Sequence, residues 1–182
     1  MNEQLENVKK EALVCKKCKL CSNRTNVVFG VGNTNAKIMF IGEGPGAEED
    51  KAGIPFVGRA GKLLDMAFQA IGINREEVYI ANIVKCRPPG NRNPEDDEVQ
   101  ACSEYLQKQI EIINPDIIVL LGSVALKAIL GKEYGITASR GNIIEKDGRK
   151  YLPTFHPAAL LRDETKKIYL YKDLKKIKSY AF

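Results

Sequence analysis

Lys37-Ile38-Met39-Phe40-Ile41-Gly42-Glu43-Gly44-Pro45-Gly46 is the stretch of this chain that decides its fold. Its apolar run is short, unbroken and closed by Gly42, which marks a strand buried on both faces. Similar apolar runs recur at Val78 to Val84 and Ile117 to Leu121, and a last strand ends near Phe155 after a short hairpin within Gly141 to Thr154. Helical segments lie between them. Gly61 to Ile71 places Leu63, Leu64, Ala67, Phe68 and Ile71 at helical spacing and stops at Gly72. Asn93-Pro94-Glu95-Asp96-Asp97 starts a helix that runs to about Ile113: Asn93 caps, Pro94 suits the first helical position, and the acids favour the positive end. Asn2 to Val14, Ser123 to Leu130 and a lysine-rich Thr165 to Ser179 are the other helices expected. Buried strands alternating with helices mean a parallel sheet covered on both faces. Ligands in such folds sit at the carboxyl ends of the strands. Those ends are Gly42-Glu43-Gly44, Asn82 to Cys86, Gly122-Ser123 and His156, the chain's one histidine.

The 182 residues suit one domain, residues 1–182. With 44% hydrophobic and 28% charged residues, the composition is that of a folded globular protein. No apolar run is long enough to span a bilayer, and Met1 to Lys10 is too polar for a secretory signal, so a cytoplasmic protein that engages no membrane is expected. The net charge of +5 is compatible with a polyanionic partner without requiring one.

Five cysteines, an odd number in a chain without a secretory signal, argue against a disulfide framework and for metal or cluster ligation. Cys15-x-x-Cys18 is a ligand hairpin, whereas Cys86 and Cys102 are spread across a loop and a helix. Two close pairs would suggest structural zinc. The spread pair also suits thiolates around an iron–sulfur cluster. Cys18 with Cys21 is a rival pairing, and Cys86 and Cys102 can equally be read as ordinary buried thiols.

The glycine loop is not a dinucleotide fingerprint. Its third glycine comes one position early, Pro45 interrupts the turn, and no phosphate-loop sequence occurs elsewhere. It is either a plain turn or a place where backbone approaches a flat ligand closely, with Glu43 beside it.

The ordered set Gly42-Glu43-Gly44-Pro45-Gly46, Pro55-Phe56-Val57-Gly58, Asn82-Ile83-Val84-Lys85-Cys86-Arg87-Pro88-Pro89 and Phe155-His156-Pro157-Ala158, with the cysteines, closely resembles the family 4 uracil-DNA glycosylases, the iron–sulfur type. The resemblance runs from Cys15 to about Arg162. It implies a three-layer α/β/α sandwich around a central four-stranded parallel sheet. It also implies a [4Fe-4S] cluster on Cys15, Cys18, Cys86 and Cys102, leaving Cys21 as an extra thiol. The implied partner is uracil-containing DNA, single- or double-stranded, and the implied enzyme is a monomer that hydrolyses the N-glycosidic bond of deoxyuridine.

Under this resemblance each residue has a chemical task. The base must leave the stack, and an apolar wedge can fill the gap; Leu160 and Leu161 are the candidates. Phe56 stacks on the flipped base, and Gly42 and Gly44 let backbone approach it. Uracil offers an N3–H donor and an O4 acceptor, the reverse of cytosine, and the amide of Asn82 can match both. Glu49 corresponds to the carboxylate that excludes the thymine methyl. His156 donates to uracil O2 as negative charge develops there, and Glu43 orients water or steadies the cationic sugar. Lys85, Arg87, Arg92, Arg140 and Arg162 lie near the loops of this edge and supply phosphate contacts. Ser123 joins the DNA contacts, and the Lys166 to Lys178 run is read as a solvated helix face.

Two other classes remain for comparison. A non-catalytic nucleic-acid module would not need His156 or Asn82. A zinc deaminase would need H-x-E with P-C-x-x-C, and neither occurs here. Within the superfamily, Glu43 and Asn82 favour a uracil-restricted enzyme over one of broader specificity.

Overall fold

The structure, a computed structural model, describes residues 2–181. The elements in chain order are α1 (Glu3–Leu13), β1 (Val31–Gly32), β2 (Ile38–Gly42), α2 (Ala47–Ala52), α3 (Arg59–Ile71), β3 (Tyr79–Asn82) and α4 (Asp96–Ile113). They continue with β4 (Ile117–Leu121), α5 (Ser123–Ile129), α6 (Ile136–Ser139), β5 (Ile144–Lys146), β6 (Arg149–Thr154), α7 (Pro157–Arg162) and α8 (Lys167–Lys175).

The strands form one sheet in the order β1-β3-β2-β4-β6-β5. Its four inner strands are mutually parallel, and the two edges are antiparallel. The expected four-stranded parallel sheet is therefore present, widened to six strands by two short edges. Val31–Gly32 is exposed and only two residues long, so it carries no apolar period that a sequence could reveal.

Alternation along the buried strands builds the three layers. Met39 and Ile41 of β2 point to the core shared with Leu5 and Val8 of α1, Leu106 and Ile110 of α4, and Leu126 of α5. Ile38 and Phe40 point the other way, to Leu64 and Phe68 of α3, Leu160 of α7 and Leu170 and Leu174 of α8. All five residues of β2 and of β4 are buried. Each large apolar side chain so buried contributes about 1.5–3 kcal/mol.

Three helix boundaries differ from the sequence reading. Helix α4 begins later than Asn93 because Glu95 occupies the cap: its N–H donates to the Glu98 carboxylate at 2.8 Å, a contact within the first turn. Helix α3 begins earlier, at Arg59, and ends as expected at Gly72, whose φ of 72° is the left-handed stop. The lysine-rich helix is reduced to Lys167–Lys175, with 3-10 turns on either side. No helix among the described residues is long and apolar enough to cross a membrane.

Asp173 of α8 is fully buried behind the end of β6. Its carboxylate accepts from Thr154 Oγ1 at 2.7 Å and from Nε of Arg140 at 3.0 Å, and pairs with Nη2 of the same guanidinium. Removing the carboxylate leaves a half-buried cation without its partner. Asp173→Ala is therefore expected to lower unfolding free energy by about 3 kcal/mol in urea titrations. Lys172→Ala, at the exposed neighbouring position, should change it by less than about 0.5 kcal/mol.

Candidate active site

The carboxyl ends of the inner strands open into a cavity of about 410 Å³. Glu43, Gly44, Glu49, Phe56, Asn82, His156 and Arg162 all line it. Six of the candidates for base recognition and chemistry, drawn from five separate segments of sequence, are thus brought together. Gly42 lies behind them, buried under the floor.

Phe56 is held in an unusual way. Its φ of 54° is left-handed, rare for a bulky side chain and costly unless the surroundings enforce it. Two glycines make room for it. A Cβ on Gly61 would overlap the Phe56 carbonyl, and a Cβ on Gly42 would lie 2.5 Å from the Phe56 ring and 2.6 Å from Asn82 Oδ1. The ring faces His156 across 5.5 Å between centroids, tilted by 31°.

Asn82 ends β3 and is buried. Its Oδ1 is the one buried side-chain polar atom among the described residues without a hydrogen-bond partner. A buried orphan acceptor costs about 1–3 kcal/mol, so an N–H donor arriving in the cavity would relieve that cost.

His156 caps α7, and its Nδ1 accepts the Ala158 N–H at 3.0 Å. An accepting Nδ1 carries no proton, so the neutral ring bears its proton on Nε2. Burial pushes the pKa down to about 4, against a smaller upward pull from Glu49. The imidazole is therefore a neutral donor at physiological pH. Burial also raises the pKa of Glu43 above its ordinary value.

Glu49 belongs to α2, a short helix that the acidic run Glu48-Glu49-Asp50 did not suggest. Its Oε1 accepts from the N–H groups of Val57 and Gly58 at 3.1 and 2.9 Å, and its Oε2 from Gly46 at 3.2 Å. The carboxylate ties the glycine loop to the Phe56 segment as well as bordering the cavity.

Several expected DNA contacts are not where the sequence reading put them. Lys85 is only 1% exposed, and its ammonium donates to Asn82 O at 3.1 Å and Gln109 Oε1 at 2.5 Å. It cannot reach a phosphate. Leu160 is buried in the core beneath α7 and cannot act as a wedge, whereas Leu161 is half-buried beside it. Arg92 lines the cavity, yet its guanidinium is committed to a two-pronged pair with the buried Glu98, at 2.9 and 2.6 Å. Arg87 is half-buried and donates to Asn91. Ser123 stands at the first turn of α5, at the same edge of the sheet but outside the cavity lining. Arg162 is exposed at the rim.

The wall facing α7 is the Pro88 to Asn93 loop, which contributes Asn91 and Asn93. Neither was singled out from the sequence. The available signal was the turn chemistry of Pro89-Gly90-Asn91, where Gly90 and Asn91 have φ of 62° and 56°.

All five cysteines border a second, small cavity together with Arg24, Lys85 and Tyr105. Among the described residues, no three His, Cys, Asp or Glu side chains stand as a ready-made metal-binding group. The surroundings nevertheless suit thiolates. Lys85 N–H points at Cys102 Sγ at 3.3 Å, Arg24 Nη1 at Cys86 Sγ at 3.4 Å, and Lys17 N–H at Cys15 Sγ at 3.5 Å. Burial pushes the Cys102 thiol up to about 11 and also raises Cys86 and Cys18. Ionising such thiols calls for a compensating positive charge, which a metal centre provides.

A model of the uracil DNA glycosylase superfamily matches residues 29–178, a span that covers the whole cavity but begins after Cys15, Cys18 and Cys21. The type-4 uracil-DNA glycosylase of Thermotoga maritima is 52% identical over 98% of this chain and 95% of its own length. That of Sulfurisphaera tokodaii is 49% identical over 98% and 86%. The type-5 uracil-DNA glycosylase of Pyrobaculum aerophilum is 31% identical over 71% and 64%. The fuller likeness to the type-4 relatives extends through the cysteine-bearing amino-terminal segment, and this chain belongs to the uracil-DNA glycosylase superfamily, in its type-4 family.

Proposed function

We propose that this protein excises uracil from DNA, hydrolysing the N-glycosidic bond of deoxyuridine to leave an abasic site and so starting base excision repair. The observation that carries the reading is the orphan Asn82 Oδ1 at the cavity. Uracil N3–H supplies the donor this atom lacks, and the amide nitrogen can donate to O4. Cytosine, unprotonated at N3, would leave the acceptor unpaired, a rejection worth orders of magnitude in rate.

Flipped uracil would stack on Phe56, with Glu49 closing the side where thymine carries its methyl. As the glycosidic bond breaks, its electron pair stays on uracil N1 and charge spreads to O2. The Nε2–H of His156 stabilises that charge by donation, without giving up its proton. Water adds to the cationic sugar carbon and loses a proton. Glu43 stands on the glycine loop to orient that water or steady the cation. Leu161 is the remaining wedge candidate, and Arg162, exposed at the rim, would meet a phosphate.

Cys15, Cys18, Cys86 and Cys102 would hold a [4Fe-4S] cluster, and the N–H groups directed at Cys15, Cys86 and Cys102 fit that assignment. Such a cluster would supply a covalent staple between the amino-terminal segment, the Arg87 to Asn93 loop and α4. All these roles fall within one chain and one domain, so the enzyme is proposed to act as a monomer, on single- or double-stranded DNA, in the cytoplasm where that DNA lies.

The wild-type protein is expected to release free uracil from a uracil-containing oligonucleotide, and chromatography detecting none would refute the assignment. Asn82→Ala and His156→Ala should each lower kcat/KM by about a hundredfold or more. Because the chain has one histidine, its ring signals in ¹⁵N NMR are unambiguous. They should report a neutral ring protonated on Nε2 from neutral pH down to about pH 5, with protonation only near the shifted pKa of about 4. Any acid limb in kcat/KM above that range then belongs to Glu43, which must be ionised to act and whose pKa is raised. Cys102→Ala should lose visible absorption, iron and sulfide together, measured against a brown wild type.

A further inference from the structure

Beyond the cavity, the same edge of the sheet carries an arrangement that uracil excision itself does not use. Phe155, the residue before His156, meets Tyr169 of α8 edge to face at 6.2 Å. The Arg140 guanidinium lies over the Tyr169 ring at 4.6 Å and near Phe155 at 5.8 Å, and the Lys166 ammonium lies over the Phe155 ring at 5.7 Å. Lys166 also pairs with Asp163 at 3.4 Å, an exposed pair that a phosphate can displace. Tyr169 is 39% exposed, and Ile168 beside it is more so. The buried Asp173 carboxylate, itself held by Thr154 Oγ1, anchors Arg140. Phe155 directly precedes His156 of the cavity lining, and α7, which follows, carries Arg162 at the rim.

We propose that Tyr169, Phe155, Arg140 and Lys166 form a platform for a nucleotide of the DNA strand outside the flipped uridine, the rings and guanidinium stacking an unpaired base and Lys166 meeting its phosphate. Aromatic faces interleaved with cations along a groove are how proteins hold single strands, because every base has a flat face and every nucleotide a charge. The net charge of +5 and the exposed Arg162 at the rim suit a polyanion. The alternative is a self-contained cation–aromatic clamp that merely packs α8 onto β6. Such a clamp gains nothing from leaving the tyrosine open to solvent.

The platform rests on the uracil-excision reading, and the test separates the two. Fluorescence anisotropy would measure binding of labelled single-stranded oligonucleotides bearing one abasic analogue, either long with flanks on both sides or cut to the nucleotides next to the lesion. Uracil release by the wild type checks the parent reading independently. Tyr169→Ala is expected to weaken the long strand about tenfold, to leave the short one unchanged, and to raise KM without lowering kcat. Tyr169→Phe, which keeps the ring, should bind as the wild type does. Lys166→Ala should flatten the salt dependence by a little under one unit of slope. Unchanged binding of the long strand by Tyr169→Ala, or equal weakening of long and short strands, would overturn the platform even if uracil release is normal.

Discussion

A buried ammonium group holds the reactive edge of the sheet to the cysteine cradle. Lys85 leaves β3 three residues after Asn82 and one before Cys86, and its side chain turns inward. It donates to the Asn82 carbonyl and to Gln109 of α4, and Gln109 in turn donates to Phe29 O at 2.8 Å and bonds Tyr79 OH. Burial lowers the pKa of this lysine to about 8, opposed in part by Cys102. A buried polar network of this kind stabilises only when every member is satisfied. Here its satisfaction fixes the direction in which β3 ends, and with it both the base-reading amide and the first cysteine of the later pair.

The pairing of polar groups around the cavity has a similar origin. His156 commits Nδ1 to the amide of Ala158 and keeps Nε2–H for the ligand. Glu49 turns its oxygens to backbone N–H groups from two segments. Arg92 is matched to Glu98, whose carboxyl is held below the ordinary range first by that guanidinium. What remains fully buried and unpaired is one amide oxygen, beside the free Nε2–H of His156. Recognition then falls on the group whose partner must come from outside.

The sequence made the scaffold plain because buried strands have no other way to be written. Ile38 to Ile41 and Ile117 to Leu121 are apolar on both faces, and the residues after such strands must lie at the ligand edge. Glu43, Asn82 and His156 were legible for that reason. Lys85 and Leu160 were misplaced for the opposite reason. A lysine near a loop reads as solvent-facing unless its acceptor is known, and Gln109 lies 24 residues away. Leu160 and Leu161 are adjacent on a six-residue helix too short to show which of them faces the core. The two-residue edge strand and the capping of α4 by Glu95 likewise depend on tertiary partners.

Gly42 and Gly61 have a consequence for how this protein can change over generations. Both abut Phe56, and neither leaves space for one more carbon atom. The stacking ring is thereby shielded from gradual drift, since a tolerated path would require several coordinated replacements at once. Glu49 is held as well, by the N–H groups of Gly46, Val57 and Gly58, so its replacement would loosen the Phe56 segment. Mutational paths toward a different base therefore run most simply through Asn82, with the aromatic floor inherited intact.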